Sequence, residues 1–137
     1  MAIGMGRVSQ MGLGRSRRPT DAELEILQVL WATGPTTVNQ VHQVLQQSRP
    51  VGYTTVLKLL QIMLEKGLVT RDESSRSHVY TAREKERVMK TSLVADLARR
   101  AFGGSTARLV MQALSEESIS DAERREIEAL LKQMREK

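Results

Sequence analysis

A mainly α fold is predicted: an N-terminal winged helix-turn-helix of three helices plus a β-hairpin wing, followed by a C-terminal helical dimerisation arm. Three features point to it. Aliphatic residues recur at helical spacing of three and four through most of the chain. The pattern changes to short β-prone runs only between residues 68 and 81. Only four aromatics (Trp31, Tyr53, Tyr80, Phe102) are available, so the core must be aliphatic, which favours helices over a sandwich or barrel.

Residues 1–18 hold four Gly and four Arg with no sustained period, so a disordered basic extension is expected there. It is either an inert tail or an arm able to lie along a DNA backbone. Order begins at Pro19, where Thr20 and Glu23 form a capping box that opens a first helix through Leu24, Leu27, Val29, Leu30 and Trp31. Thr33-Gly34-Pro35 ends it, and Thr37 with Gln40 caps a second helix striped by Val38, Val41, Val44 and Leu45. Arg49-Pro50-Val51-Gly52 breaks the chain again.

The third helix, Gly52 to Lys66, gathers Val56, Leu59, Leu60, Met63 and Leu64 on one face. Tyr53, Thr54, Thr55, Lys58 and Gln61 fall largely outside that stripe, with Leu57 and Ile62 also candidates for the outer face, and Gly67 closes the helix. Leu68–Asp72 and Ser77–Thr81 read as a hairpin with a polar tip. Three helices and a hairpin in this order make a DNA-reading unit, residues 19–82, in which the hairpin is the wing.

From residue 83 to 137 the chain reads as a helical dimerisation region. Thr81 with Glu84 is expected to cap a helix to about Ala101 carrying Val88, Leu93, Val94, Leu97, Ala98 and Ala101 on one side. Phe102-Gly103-Gly104-Ser105 interrupts it. A short helix with Leu109, Val110, Ala113 and Leu114 follows, and Ser120 with Glu123 caps a last one bearing Ile127, Leu130, Leu131 and Met134. Such stripes, lying beyond the compact domain, ask for a partner helix, and a second copy of the chain supplies one. Val94, Leu97, Phe102, Leu109, Val110, Leu114, Ile127, Leu130 and Leu131 are the expected dimer contacts.

The net charge of +5 is uneven: +1 over residues 1–48, +6 over 49–108 and −2 over 109–137. A basic middle suits a polyanion, although charge runs are also ordinary solvated faces. Cysteine is absent, which excludes disulfides and thiolate chemistry. No apolar run approaches the roughly 18 residues of a membrane span, so a cytoplasmic protein with no membrane insertion is expected. His42 and His78 lie on different elements without metal-ligand spacing, and no nucleophile-and-base set or phosphate-binding loop is present. No enzyme, metal or cofactor is expected.

Tyr53-Thr54-Thr55-Val56, Glu65-Lys66-Gly67-Leu68-Val69, Arg71-Asp72-Glu73 and Arg76-Ser77-His78-Val79-Tyr80, together with Leu24, Leu27, Leu30 and Trp31, resemble the penicillinase-repressor (BlaI/MecI) family of bacterial transcriptional regulators. The resemblance runs from about Pro19 to the C-terminus, and Phe102-Gly103-Gly104-Ser105 is similar to the family's linker in the dimer arm. It implies a homodimer with entwined C-terminal helices, bound to a palindromic operator in double-stranded DNA and blocking transcription. In antibiotic-responsive members it implies a membrane-bound sensor protease that triggers cleavage in the arm. The family's copper-responsive branch uses a cysteine motif that this chain lacks.

Thr54, Thr55 and Lys58 lead the candidates for base contact, since a Thr offers a hydroxyl or a methyl and a Lys reaches a guanine or phosphate. Tyr53 has a hydroxyl for a phosphate but can equally pack on the second helix. Arg76 on the wing is a candidate phosphate or minor-groove contact with His78 beside it, and Thr37 at a helix start and Arg49 in the turn are candidate backbone contacts, each with an ordinary structural role as well. Ala101-Phe102, an apolar helix end running into Gly-Gly, is the candidate cleavage region. A winged helix used as a protein-interaction module is the alternative function.

Overall fold

The computed structural model describes residues 18–115 and 117–136. The expectation of disorder for the N-terminal extension therefore falls, apart from Arg18, outside the described residues. The chain divides into two compact units, one extending to Asp96 and the other starting at Leu97.

In the first unit, α1 (Asp21–Thr33) starts at the expected capping box, in which Thr20 accepts from the Glu23 N–H and Glu23 accepts from the Thr20 N–H. Glu23 does more than cap. It is buried, and its Oε1 also accepts from Lys66 Nζ at 2.7 Å, which ties the start of α1 to the last turn of α3 (Tyr53–Lys66). Lys66 donates as well to the Arg18 carbonyl, and Arg18 Nε lies 3.4 Å from the buried Asp96 carboxylate. Charges removed from water are tolerated when paired in this way.

Short strand β1 (Thr36–Thr37) leads into α2 (Val38–Gln46), whose Thr37–Gln40 capping box is present as expected. Helix α3 ends on Gly67 at φ 81°, a left-handed conformation that glycine adopts without strain. Strands β2 (Val69–Asp72) and β3 (Val79–Ala82) form the wing, and the sheet order is β1-β3-β2, antiparallel throughout. Thr36 opposes Tyr80, and Arg71 opposes Tyr80 from the other side, so Tyr80 sits centrally on the inner face. Two residues of β1 are too few to show an alternating pattern, which is why the sequence reading contained only the hairpin.

Ile26, Leu27, Leu30, Val41, Leu45, Val56, Leu60, Met63, Val69 and Tyr80 are buried in one core that α1, α2, α3 and the sheet share. Leu59, Leu64 and Leu57 pack at its edge, so Leu57 belongs to the core side of α3 and not to its outer face. Val44, expected in the α2 stripe, is exposed instead.

The largest correction concerns α4, which spans Glu86–Ala101. Thr81 does not cap it: Thr81 pairs with Thr70 in β3, which runs on to Ala82, and the helix begins only at Glu86, five positions later and too far for the Thr81 side chain to meet its first-turn N–H groups. The buried face of α4 is also shifted. Met89 joins the core and Leu93 packs against it, whereas Val88 and Val94 are exposed. Trp31, half-buried on α1, donates its indole N–H to the Glu84 carbonyl at 3.0 Å and so pins the segment between wing and α4.

In the second unit, Gly103 and Gly104 have φ of 59° and 87°, and the Gly104 N–H returns to the Ala98 carbonyl, which ends α4 sharply. Helix α5 (Thr106–Leu114) is capped by Ser105, and α6 (Asp121–Arg135) by the expected Ser120–Glu123 box. Neither α5 nor α6 has a buried residue. Val110, Leu114, Leu130 and Leu131 are exposed, as is Leu97, while Phe102, Leu109 and Ile127 are half-buried.

Candidate nucleic-acid interface

Helix α3 has two faces. Val56, Leu60 and Met63 fix it in the core with no exposed surface, and Thr54, Lys58, Gln61 and Glu65 follow one another along the opposite, exposed side. Tyr53 and Thr55 are exposed beside them at the first turn. The polar face is uncharged at its start, basic at Lys58 and acidic only at Glu65, near the far end. Its N-cap, Gly52, makes no side-chain cap bond, so the first-turn N–H groups are left open.

The turn before α3 is held from α2. His42 Nε2 lies 2.8 Å from the Val51 carbonyl, and the His42 and Tyr53 rings meet edge to face with centroids 5.8 Å apart. Of the two roles weighed for Tyr53, packing on α2 is present in the ring contact, and nearly half of the residue remains exposed.

Arg49 lies in the same turn but is engaged. Its guanidinium is 2.6 Å from Glu25 of α1, and that hydrogen bond holds the Glu25 carboxyl below its ordinary range and raises Arg49. Its Nε and Nη2 both face Glu25, so a role for Arg49 on DNA has to use its remaining donors or exchange this partner. Thr37 is likewise occupied as a cap, and it stands opposite Val79, which places the start of α2 beside the wing strand that follows His78.

On the wing, Arg76 and His78 are exposed, and no hydrogen bond or ion pair among the described residues joins either of them to α3. The tip is shaped by Asp72, which accepts from the Ser74 N–H at 2.9 Å and is thereby held below the usual carboxylate range. Arg71 bonds Glu73, and Tyr80 and Glu73 both raise it, so this cation is committed within the wing.

Sequence reasoning weighed His42 only as a metal ligand and did not see Glu25 as the partner of Arg49. Gly52 has no side chain with which to define the start of α3, but nothing in the sequence singles out His42 as the residue that lies against it. Among the described residues, no group of three His, Asp or Glu is placed to hold a metal ion. None of the described helices is long and apolar enough to cross a membrane.

The family model described as "Penicillinase repressor" matches residues 19–133. The chain belongs to the penicillinase repressor family. Its relatives include the transcriptional regulator BlaI of Mycobacterium tuberculosis, 38% identical over 69 residues that make up 50% of each chain. A penicillinase repressor of Staphylococcus aureus is 21% identical over 110 residues, 80% of this chain and 87% of the other. The chain spans about half the length of the first of these curated relatives. Among solved structures, the solution structure of the DNA-binding domain of the repressor BlaI aligns at a TM-score of 0.48 and 26% identity, covering 54% of this chain and 90% of that one. AbfR of Staphylococcus epidermidis aligns at 0.46 and 18% identity over 99% and 89%.

Proposed function

We propose that the chain is a sequence-specific DNA-binding transcriptional repressor of the cytoplasm, acting as a homodimer on a palindromic operator. Residues 19–82 form the winged DNA-binding domain and residues 83–137 the dimerisation region. The observation that carries this reading is the two-faced helix α3, fixed in the core by Val56, Leu60 and Met63 while Thr54, Thr55 and Lys58 stand in solvent. An α-helix of this width enters the major groove, where hydroxyls, methyls and an ammonium meet base edges. Membership of the penicillinase repressor family supports it independently.

Tyr53, Thr37, Arg49, Arg76 and His78 are the proposed backbone contacts, with Arg49 exchanging Glu25 for a phosphate. Two copies meet through Val94, Leu97, Phe102, Leu109, Val110, Leu114, Ile127, Leu130 and Leu131. The exposed apolar residues of α5 and α6 also favour a second reading, in which the winged helix is a protein-interaction module recruiting a different partner. A second copy accounts for the same surface without one. Relief of repression is proposed to come from proteolysis at Ala101-Phe102, where α4 stops against Gly103 and Gly104, under the control of a membrane-bound sensor protease.

The test is selection of duplexes from a random library by the full chain, followed by binding over a range of salt. A palindromic consensus whose affinity falls steeply with salt is expected, as counterion release requires. A folded chain that enriches no sequence would refute the repressor reading.

A further inference from the structure

We infer that His42 is a positioning residue for the DNA-reading helix: it grips the chain on both sides of Gly52 and thereby sets the attitude of Tyr53 and the threonines behind it. The inference rests on the reading of α3 given above and adds the device that aims it.

Helices α1, α2, α5 and α6 begin with the side-chain caps Thr20, Thr37, Ser105 and Ser120. Helix α3, whose entry angle matters most for reading a duplex, begins with Gly52 and no cap bond. Glycine is not demanded there by the backbone, because φ is −80° and an added Cβ would meet only Thr55 Oγ1, at 4.0 Å. What the missing side chain does is leave the first-turn N–H groups uncovered and the entry undefined from within α3.

His42 supplies the definition from α2. On one side of Gly52 its Nε2 bonds the Val51 carbonyl at 2.8 Å; a carbonyl only accepts, so Nε2 carries a proton. On the other side its ring meets the Tyr53 ring at an interplanar angle of 88°, the edge-to-face arrangement aromatic pairs favour. The residue before and the residue after the cap are therefore both tied to one half-buried ring, and the peptide between them has little freedom to swing.

Two variants separate the contacts: His42→Phe keeps an aromatic edge and removes the donor, and His42→Gln keeps a donor. The probes are a duplex selected by the unmodified chain and a scrambled duplex of the same composition, with thermal melting in parallel. His42→Phe is expected to lose roughly ten-fold in affinity for the selected duplex, the scale of one ordering hydrogen bond, with the scrambled duplex unaffected. His42→Gln should recover most of the loss. A structural role alone would lower the melting temperature and leave the ratio of the two affinities unchanged, and an unchanged ratio in folded His42→Phe overturns the inference while the repressor reading stands. If the unmodified chain selects no duplex, both fall. Nitrogen NMR of the unmodified chain needs no variant: the neutral ring is expected with its proton on Nε2, and a neutral ring protonated on Nδ1 would overturn the inference.

Discussion

Lys58 stands on the exposed side of α3, two residues after the fully buried Val56, so its ammonium can be removed without touching the core. Lys58→Ala should leave stability within about 0.5 kcal/mol while weakening duplex binding and reducing the slope of log affinity against log salt by about 1. Melting curves and salt titrations check the two halves separately. The pair formed by Arg49 and Glu25 makes a different kind of prediction. The hydrogen bond from Arg49 depresses the Glu25 carboxyl in the folded chain, so its contribution is present above the unfolded value and is lost as pH falls through the folded one. Both groups are at the surface, where such pairs are screened and weak. Arg49→Ala should return the Glu25 carboxyl upward toward the ordinary range, read by carbon NMR, with stability lowered at most slightly at neutral pH and unchanged once acid has protonated the carboxyl.

At the scale of elements, the ends of α3 are set by opposite means. Its C-terminus needs Gly67 at φ 81°, where an added Cβ would meet nothing within 4 Å, so the penalty for a side chain is purely conformational. Gly67→Ala should cost about 1 kcal/mol in denaturant unfolding, with no loss of packing to add to it. This end was legible in the sequence, as were the capping boxes at Thr20, Thr37 and Ser120, because each depends on residues within four positions of one another. The cap expected at Thr81 failed for the same reason in reverse: the local pattern was right, but pairing with Thr70 eleven residues away decided the conformation. Strand β1 and the contacts of His42 with Val51 and Tyr53 were similarly out of reach, since they depend on which elements fold against each other. The face of α3 offered to solvent was readable because the buried aliphatic stripe defines it by exclusion. Leu57 was the exception, a residue at the edge of the stripe that the neighbouring elements draw inward.

At the scale of the whole molecule, the first compact unit includes the beginning of α4, because Met89 completes the core and Leu93 packs against it. A fragment ending at Asp96 should therefore unfold cooperatively, whereas one ending at Ala82 should lose several kcal/mol, on the order of 2–5 for a large buried aliphatic side chain such as Met89. Urea titration of the two fragments compares them directly. The second unit leaves Leu114, Leu130 and Leu131 exposed, and the proposed dimer is what covers them. The proposed function assigns the reading of sequence to α3. The measurement that tests this most directly is the affinity of the Thr54→Ala, Thr55→Ala double variant for the selected duplex and for a scrambled one. Loss of most of the preference, at an unchanged affinity for the scrambled duplex, is predicted; a folded double variant that keeps the full preference would contradict it.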